Sequence, residues 1–162
     1  MKIEETDIPE QTFLAIKKTA TFTELENEEL YMQLMNDLFV YATLQAIEVL
    51  GQPVGMYFTW NEDTQISDMA IGIPVSNDIA SVEPNEDHIE VVRIPGSDAV
   101  LGEHYGPYTA LRESHGAMKA YCKEHDKHIG NGGVLCYEQY ITDPATEPDQ
   151  GKWLTKVYYL VK

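Results

Sequence analysis

The sequence predicts an α/β (α+β) fold of two similar halves whose sheets pair into one antiparallel sheet. Three observations lead there. Helical periodicity occurs twice, in the stretches 28–50 and 107–125. Each helix follows one strand-like run and precedes two more, so the order strand, helix, strand, strand repeats over 13–75 and 99–161, in the order of elements rather than in the letters. A length of 162 residues with 43% hydrophobic content suits one domain with a sizeable core. Paired in this way, the halves place both long helices on one face and leave the opposite face concave, as a ligand cleft at the junction.

The elements follow in order. Pro9 ends a short tail, and Phe13-Leu14-Ala15-Ile16-Lys17 reads as the first strand. Leu30, Leu34, Leu38 and Tyr41 recur at helical spacing, with Met35, Ala42 and Val49 widening the stripe. Glu28 and Glu29 suit the positive end of the helix dipole, and Gly51, with Pro53 beyond it, is the expected stop. Residues 54–60 form an aromatic-rich strand and 61–67 a polar turn. In the next strand Met69, Ile71, Ile73 and Val75 alternate with the small Ala70 and Gly72, so one face could admit another element or a flat ligand.

The acidic stretch 77–87 connects the halves. Residues 88–94 are a further strand candidate, Pro95-Gly96 a turn, and 97–105 a strand. Pro107 opens the second helix, whose stripe is Tyr108, Leu111, His115, Met118 and Cys122. Asn131-Gly132-Gly133 closes the turn after it. The strand 134–141, a loop over 142–150 and a last strand over 153–161 complete the chain.

Eleven Lys and Arg against 27 Asp and Glu give a formal charge of −16. Such a chain repels phosphate backbones, which argues against direct nucleic-acid binding. The charge is compatible with attraction of cations, with a basic protein surface, or with solubility alone. No apolar run approaches the ~20 residues that cross a bilayer. The acidic start lacks the apolar stretch of a secretory signal, so the expected location is the cytoplasm. Cys122 and Cys136 have no metal or redox spacing and read as reduced packing residues. His125 and His128 lie three apart with no third ligand, so neither a metal nor a cofactor is expected. Glu103 and His104, adjacent on a strand, face opposite sides and make no catalytic pair. There is no P-loop, dinucleotide glycine fingerprint or nucleophile elbow.

Glu138 stands out. It interrupts the apolar, aromatic run Val134-Leu135-Cys136-Tyr137-Glu138-Gln139-Tyr140-Ile141. A buried carboxylate there must be paired, neutralised or held for a ligand, and the nearest basic residues, Lys127 and Lys152, fall in loops. The other reading of the same residues puts Glu138 on an exposed face or edge.

Several fragments, in order along the chain, carry a resemblance: 68–75 (DMAIGIPV), Ile94-Pro95-Gly96, His104-Tyr105-Gly106-Pro107-Tyr108, 138–144 (EQYITDP) and 153–158 (WLTKVY). The chain resembles the GyrI-like small-molecule-binding domains, also found as the effector-binding part of AraC-type and MerR-type multidrug regulators, here in stand-alone form. The resemblance implies a pseudo-twofold fold over the whole of 1–162, with an aromatic cleft between two modules and a cleft glutamate. That glutamate matches Glu138, and the helix-start tyrosine matches Tyr108. Tyr57, Trp60, Ile71 and Tyr158 complete the expected ligand-binding set. Family members often carry acids where Ala70 and Lys156 stand, and large aromatics where His115 and Tyr121 stand, so this cleft departs from the pattern in charge and shape.

Three functions follow from the resemblance. A carboxylate ringed by aromatic faces can receive a flat aromatic or cationic molecule, with cation–π attraction of ~0.5–2 kcal/mol per ring. Without a flanking helix-turn-helix, regulation of transcription would run through a protein partner. The alternative is a hydrolase of electrophilic, cyclopropane-bearing toxins, with Glu138 activating water or protonating a leaving group and Tyr108 orienting water. The second alternative is an acidic interaction protein of the DNA gyrase inhibitor kind.

Overall fold

Twice the chain crosses from one end of its sheet to the other within two residues, and this governs the architecture. The computed structural model describes residues 1–142 and 145–162. The strands are β1 (Ile3–Ile8), β2 (Gln11–Thr21), β3 (Val54–Asn61), β4 (Ile66–Val75), β5 (Glu90–Ile94), β6 (Ser97–Tyr105), β7 (Cys136–Tyr140) and β8 (Leu154–Val161). The helices are α1 (Glu28–Leu44) and α2 (Leu111–Glu124), with short 3-10 turns at Glu24–Glu26, Tyr108–Ala110 and Gln150–Lys152. Among the described residues the strands form one antiparallel sheet in the order β1-β6-β8-β7-β3-β4-β2-β5. The result is an α+β fold, as the sequence predicts. Asp143 and Pro144, at the end of the fragment that begins at Glu138, lie outside the described residues.

The order two strands, helix, two strands occurs twice. The leading strand of the first pass is the stretch that the sequence reading leaves as a tail. Instead, Ile3–Ile8 pairs along β6, from Ile3 opposite Gly102 to Ile8 opposite Ser97. Beyond Pro9-Glu10 the same register resumes at the far end of the sheet, with Gln11 opposite Ile94 and Ala15 opposite Glu90. Pro95-Gly96 makes the matching link from β5 to β6. Both links begin with an Ile-Pro pair, and proline, having no amide hydrogen, suits a break in the ladder. β1 escapes a periodicity reading because four of its six side chains are exposed.

Dipeptides joining its two ends oblige the sheet to curl. Phe13, Met56, Ala70, Tyr137 and Leu160 fill the inside of the curl. This corrects the expectation of a concave ligand cleft on the face away from the helices. The small face of β4 admits Met56 and Phe13 against Gly72, not a ligand. The helices lie on the other face, α1 over β2 and β4 and α2 over β6. They bury Tyr31, Met35 and Leu38 from α1, and Leu111, Met118 and Cys122 from α2. A gap remains between them above the central strands β3 and β7.

Asn27 caps α1 by accepting from the Glu29 amide (3.0 Å). The helix ends at Leu44, well before the predicted stop at Gly51. Ala46 takes a left-handed φ of 54°, and the amides of Ala46 and Ile47 return to the carbonyls of Thr43 and Ala42. This is a Schellman closure made without glycine. α2 ends identically, with Asp126 at φ 54° and the amides of Asp126 and Lys127 on Lys123 and Cys122. The interior thus claims Ile47 and Val49 for loop packing, which explains why Val49 falls in with the helical stripe.

Ile8 separates the two readings of the N-terminal segment. It is buried against the inside of the curl, so Ile8→Ala should lower unfolding stability by about 2–4 kcal/mol in urea denaturation. A tail residue would show no change.

Candidate functional site

The gap between the helices is a cavity of about 440 Å³. Tyr57 and Glu138 form its floor, and Tyr31, Trp60, Tyr108 and His115 its walls. Glu138 is 1% exposed. One carboxylate oxygen accepts from the Tyr57 hydroxyl at 2.7 Å and the Tyr140 hydroxyl at 3.0 Å. The other meets Nε2 of His115 at 2.7 Å. Tyr31 extends the network through its hydroxyl, 3.3 Å from that of Tyr57. Burial is therefore met by three donors from three different elements.

Nε2 of His115, facing an ionised carboxylate, donates to Glu138. On the other side of the ring the Tyr159 oxygen lies 2.6 Å from Nδ1 and 3.3 Å from the His115 carbonyl oxygen. Burial pushes the Glu138 carboxyl up, but the hydrogen bond and charge of His115, with the bonds from Tyr57 and Tyr140, outweigh it and hold the group below its ordinary value. Burial first, and the Glu138 charge second, push the Tyr57, Tyr140 and Tyr31 phenols upward, so all three remain donors.

Local sequence features make this arrangement possible. Gly55 sits directly opposite Glu138 on β3, and a methyl there would collide with the Tyr140 hydroxyl. A β-bulge between Tyr57 and Thr59 resets the alternation of β3. Tyr57 and Trp60 consequently share the cleft face, although three positions apart they would otherwise oppose each other. At the foot of α2, His104 bonds Ser114 (2.7 Å) and the Pro107 carbonyl (3.1 Å), which fixes the turn carrying Tyr108.

Of the residues expected from sequence, the structure brings Glu138, Tyr108, Tyr57 and Trp60 together around the cavity. Ile71 shares their sheet face, with Gly55 between it and Glu138, but lies fully buried in the core and not on the cavity wall. Tyr158 faces away, because Val157 is the residue opposite Glu138; it stacks on Tyr137 at 4.7 Å on the far face. Tyr140, Tyr31, Tyr159 and the role of His115 escape the sequence reading. Tyr140 was within reach, being two residues from Glu138 and so on the same face. His125 stacks on Tyr121 at 3.9 Å, and among the described residues no cluster of three His, Cys, Asp or Glu could hold a metal.

Two further acid–base pairs cross the mouth. Arg112 reaches Glu26 at 3.4 Å, and Lys119 reaches Glu62 at 3.0 Å with its ammonium 4.3 Å from the Trp60 ring centre. Gly116 lies between them on α2, exposed and facing the cavity, with nothing within 4 Å of where a Cβ would stand.

Gly55→Ala should displace Tyr140 from Glu138 and cost about 1–3 kcal/mol, read as a lower denaturation midpoint with the fold retained. A second expectation concerns pH. The folded-state value of Glu138 is depressed, so its stabilising contribution is complete above the ordinary value near 4.3 and is lost as pH falls through the lower folded value. The stability gap between wild type and Glu138→Gln should therefore shrink as pH falls below about 4.3. A gap that stays the same as pH falls through that value would contradict the pairing.

The family profile of the GyrI-like small molecule binding domain matches residues 1–162. No curated protein matches the sequence significantly. Among solved structures, the EcmrR C-terminal domain is 19% identical with a TM-score of 0.77, covering 99% of this chain and 97% of that one. EcmrR in its complex with DNA matches at 20% identity and the same TM-score of 0.77 over 99% of this chain, which spans 57% of the EcmrR chain. A hydrolase from Listeria innocua matches at 15% identity and TM-score 0.66, over 99% of this chain and 92% of that one. SAV2435, solved bound to tetraphenylphosphonium, matches at 17% identity and TM-score 0.63, over 100% and 94%. Among the described residues, no helix is long and apolar enough to cross a membrane. The chain belongs to the GyrI-like family of small-molecule-binding domains.

Proposed function

We infer that the protein is a cytoplasmic receptor for flat, largely aromatic small molecules, held in the cleft between α1 and α2. The observation that carries this reading is an open cavity of about 440 Å³ walled by Tyr31, Trp60 and Tyr108 over a carboxylate whose hydrogen bonds are already made. Rigid aromatic walls over a preorganised floor bind by stacking and exclusion of water, at small entropic cost. Such contacts demand little exact geometry and tolerate a range of ligands. The tetraphenylphosphonium in SAV2435 supports an aromatic occupant. The DNA complex of EcmrR supports an effector-sensing role in transcription.

Hydrolysis is the weaker reading. A general acid needs a proton near neutral pH, and Glu138 is held ionised below its ordinary value. A general base needs a free lone pair facing substrate, and both nitrogens of His115 are engaged. The geometry is that of a hydrogen-bonded His–Glu pair forming a cavity floor.

Gly116 gives a clean test. A side chain there enters the cleft without touching the protein, and removing glycine from a helix interior favours the fold by about 0.5–1 kcal/mol. Calorimetric titration of acridine should give micromolar binding to wild type. Gly116→Leu should weaken it by tenfold or more, about 1.4 kcal/mol, with melting temperature unchanged or raised. Equal affinity in the two proteins would place the ligand elsewhere, and no saturable binding would reject the cleft as an aromatic receptor.

A further inference from the structure

We propose that His115 holds a proton on both ring nitrogens, with Tyr159 turning its hydroxyl hydrogen to the His115 carbonyl, and is a resident counter-cation that sets the charge selectivity of the cleft: uncharged aromatic molecules bind over the intact His115–Glu138 pair, and organic cations are disfavoured. This rests on the cleft being the binding site and adds what it selects.

The one carboxylate at the floor has no unsatisfied oxygen. One oxygen holds two tyrosine hydroxyls and the other holds the imidazolium at 2.7 Å. A cationic ligand must compete with His115 for the Glu138 charge. His115 cannot swing out cheaply, because its other nitrogen is tied to Tyr159 at 2.6 Å and its ring packs edge-on between Tyr57 and Trp60, at 5.9 and 6.2 Å. A cation seated beside the pair without displacing it would meet the imidazolium directly.

The charges nearer the mouth give a cation no better foothold. The acids Glu26 and Glu62 are already held by Arg112 and Lys119. All three basic members stand on α2 at positions 112, 115 and 119, one helical face turned to the cavity. The cavity lining carries Glu26, Glu62 and Glu138 against Arg112, His115 and Lys119, so it is charge-balanced inside a protein of net charge −16. The Lys119 ammonium also lies 4.3 Å from the Trp60 ring centre, a resident cation already in cation–π contact with that wall.

The test compares acridine, neutral at pH 7.5, with N-methylacridinium, the same ring system carrying a fixed positive charge. Full-length protein is titrated with each by calorimetry at constant ionic strength. Wild type should bind acridine at least tenfold more tightly. In His115→Gln, which keeps a donor toward Glu138 and removes the charge, the ratio of the two Kd values should move at least tenfold toward the cation. The double variant His115→Leu/Glu138→Gln removes both charges and guards against misfolding of the single one; it should show a ratio between the other two. As a signature independent of affinity, the side-chain nitrogen resonances of His115 should keep their doubly protonated shifts when acridine is bound.

Tighter binding of N-methylacridinium by wild type, or a ratio that His115→Gln leaves unchanged, overturns the selectivity assignment while the cleft remains the site. Binding of both dyes that Gly116→Leu does not weaken overturns the assignment together with the site beneath it.

Discussion

The arrangement depends on keeping one carboxylate ionised where water does not reach it. An isolated charge at such a site would cost several kcal/mol or more, and the group would protonate rather than accept that cost. Glu138 is kept ionised by donors that come from β3, β7 and α2, which are far apart in sequence. Each donor constrains its neighbourhood. Tyr140 needs Gly55 across the ladder, Tyr57 needs to share a face with Trp60, and His115 needs α2 to descend close to the sheet. The cavity is what remains between helices held at that separation.

The same pair organises charge across the boundary between the two halves. The basic members of the three cleft pairs all belong to α2, while the acids come from the turn before α1, the β3–β4 hairpin and β7. The exposed pairs contribute little to stability, about 0–1 kcal/mol each. Their effect is positional: they bring the first half of the chain against a helix of the second half. The buried pair fixes register, because His115 Nε2 meets Glu138 Oε2 at 2.7 Å from a helix of fixed position over the sheet.

Much of the fold was legible because helical period and strand alternation are local properties. The strand 97–105 and both helix starts follow from them directly. β1 was not legible, since its side chains are mostly exposed and its pairing with β6 lies almost one hundred residues away. Nor was the early end of α1, where Ala46 adopts a conformation that sequence reserves for glycine. In the site, the anomaly of a glutamate in an apolar strand was visible, and so was its aromatic setting. Its partner was not. A histidine on a buried helical stripe carries no mark of what lies opposite, and the expectation of a cleft on the far face followed from treating the sheet as flat. The Trp60 side chain reaches the cleft through a bulge that alternation alone cannot foresee.

The two helices close with the same Schellman geometry, which gives a common origin for comparing them. Counting back seven residues from Ala42 and from Cys122 reaches Met35 and His115. Counting back ten reaches Met32 and Arg112, and counting back three reaches Phe39 and Lys119. On α1 the equivalents of the whole basic stripe are therefore apolar, and Met35 packs into the core where His115 meets a carboxylate. A backbone repeat of two strands, helix and two strands thus carries a cleft that is not symmetric. The first half supplies Tyr31, Tyr57 and Trp60 with the acids Glu26 and Glu62, the second supplies the basic stripe, and Glu138 lies on the strand that joins the second half to the first through β3. The two halves differ most in chemistry at His115, whose counterpart on α1 is the apolar Met35.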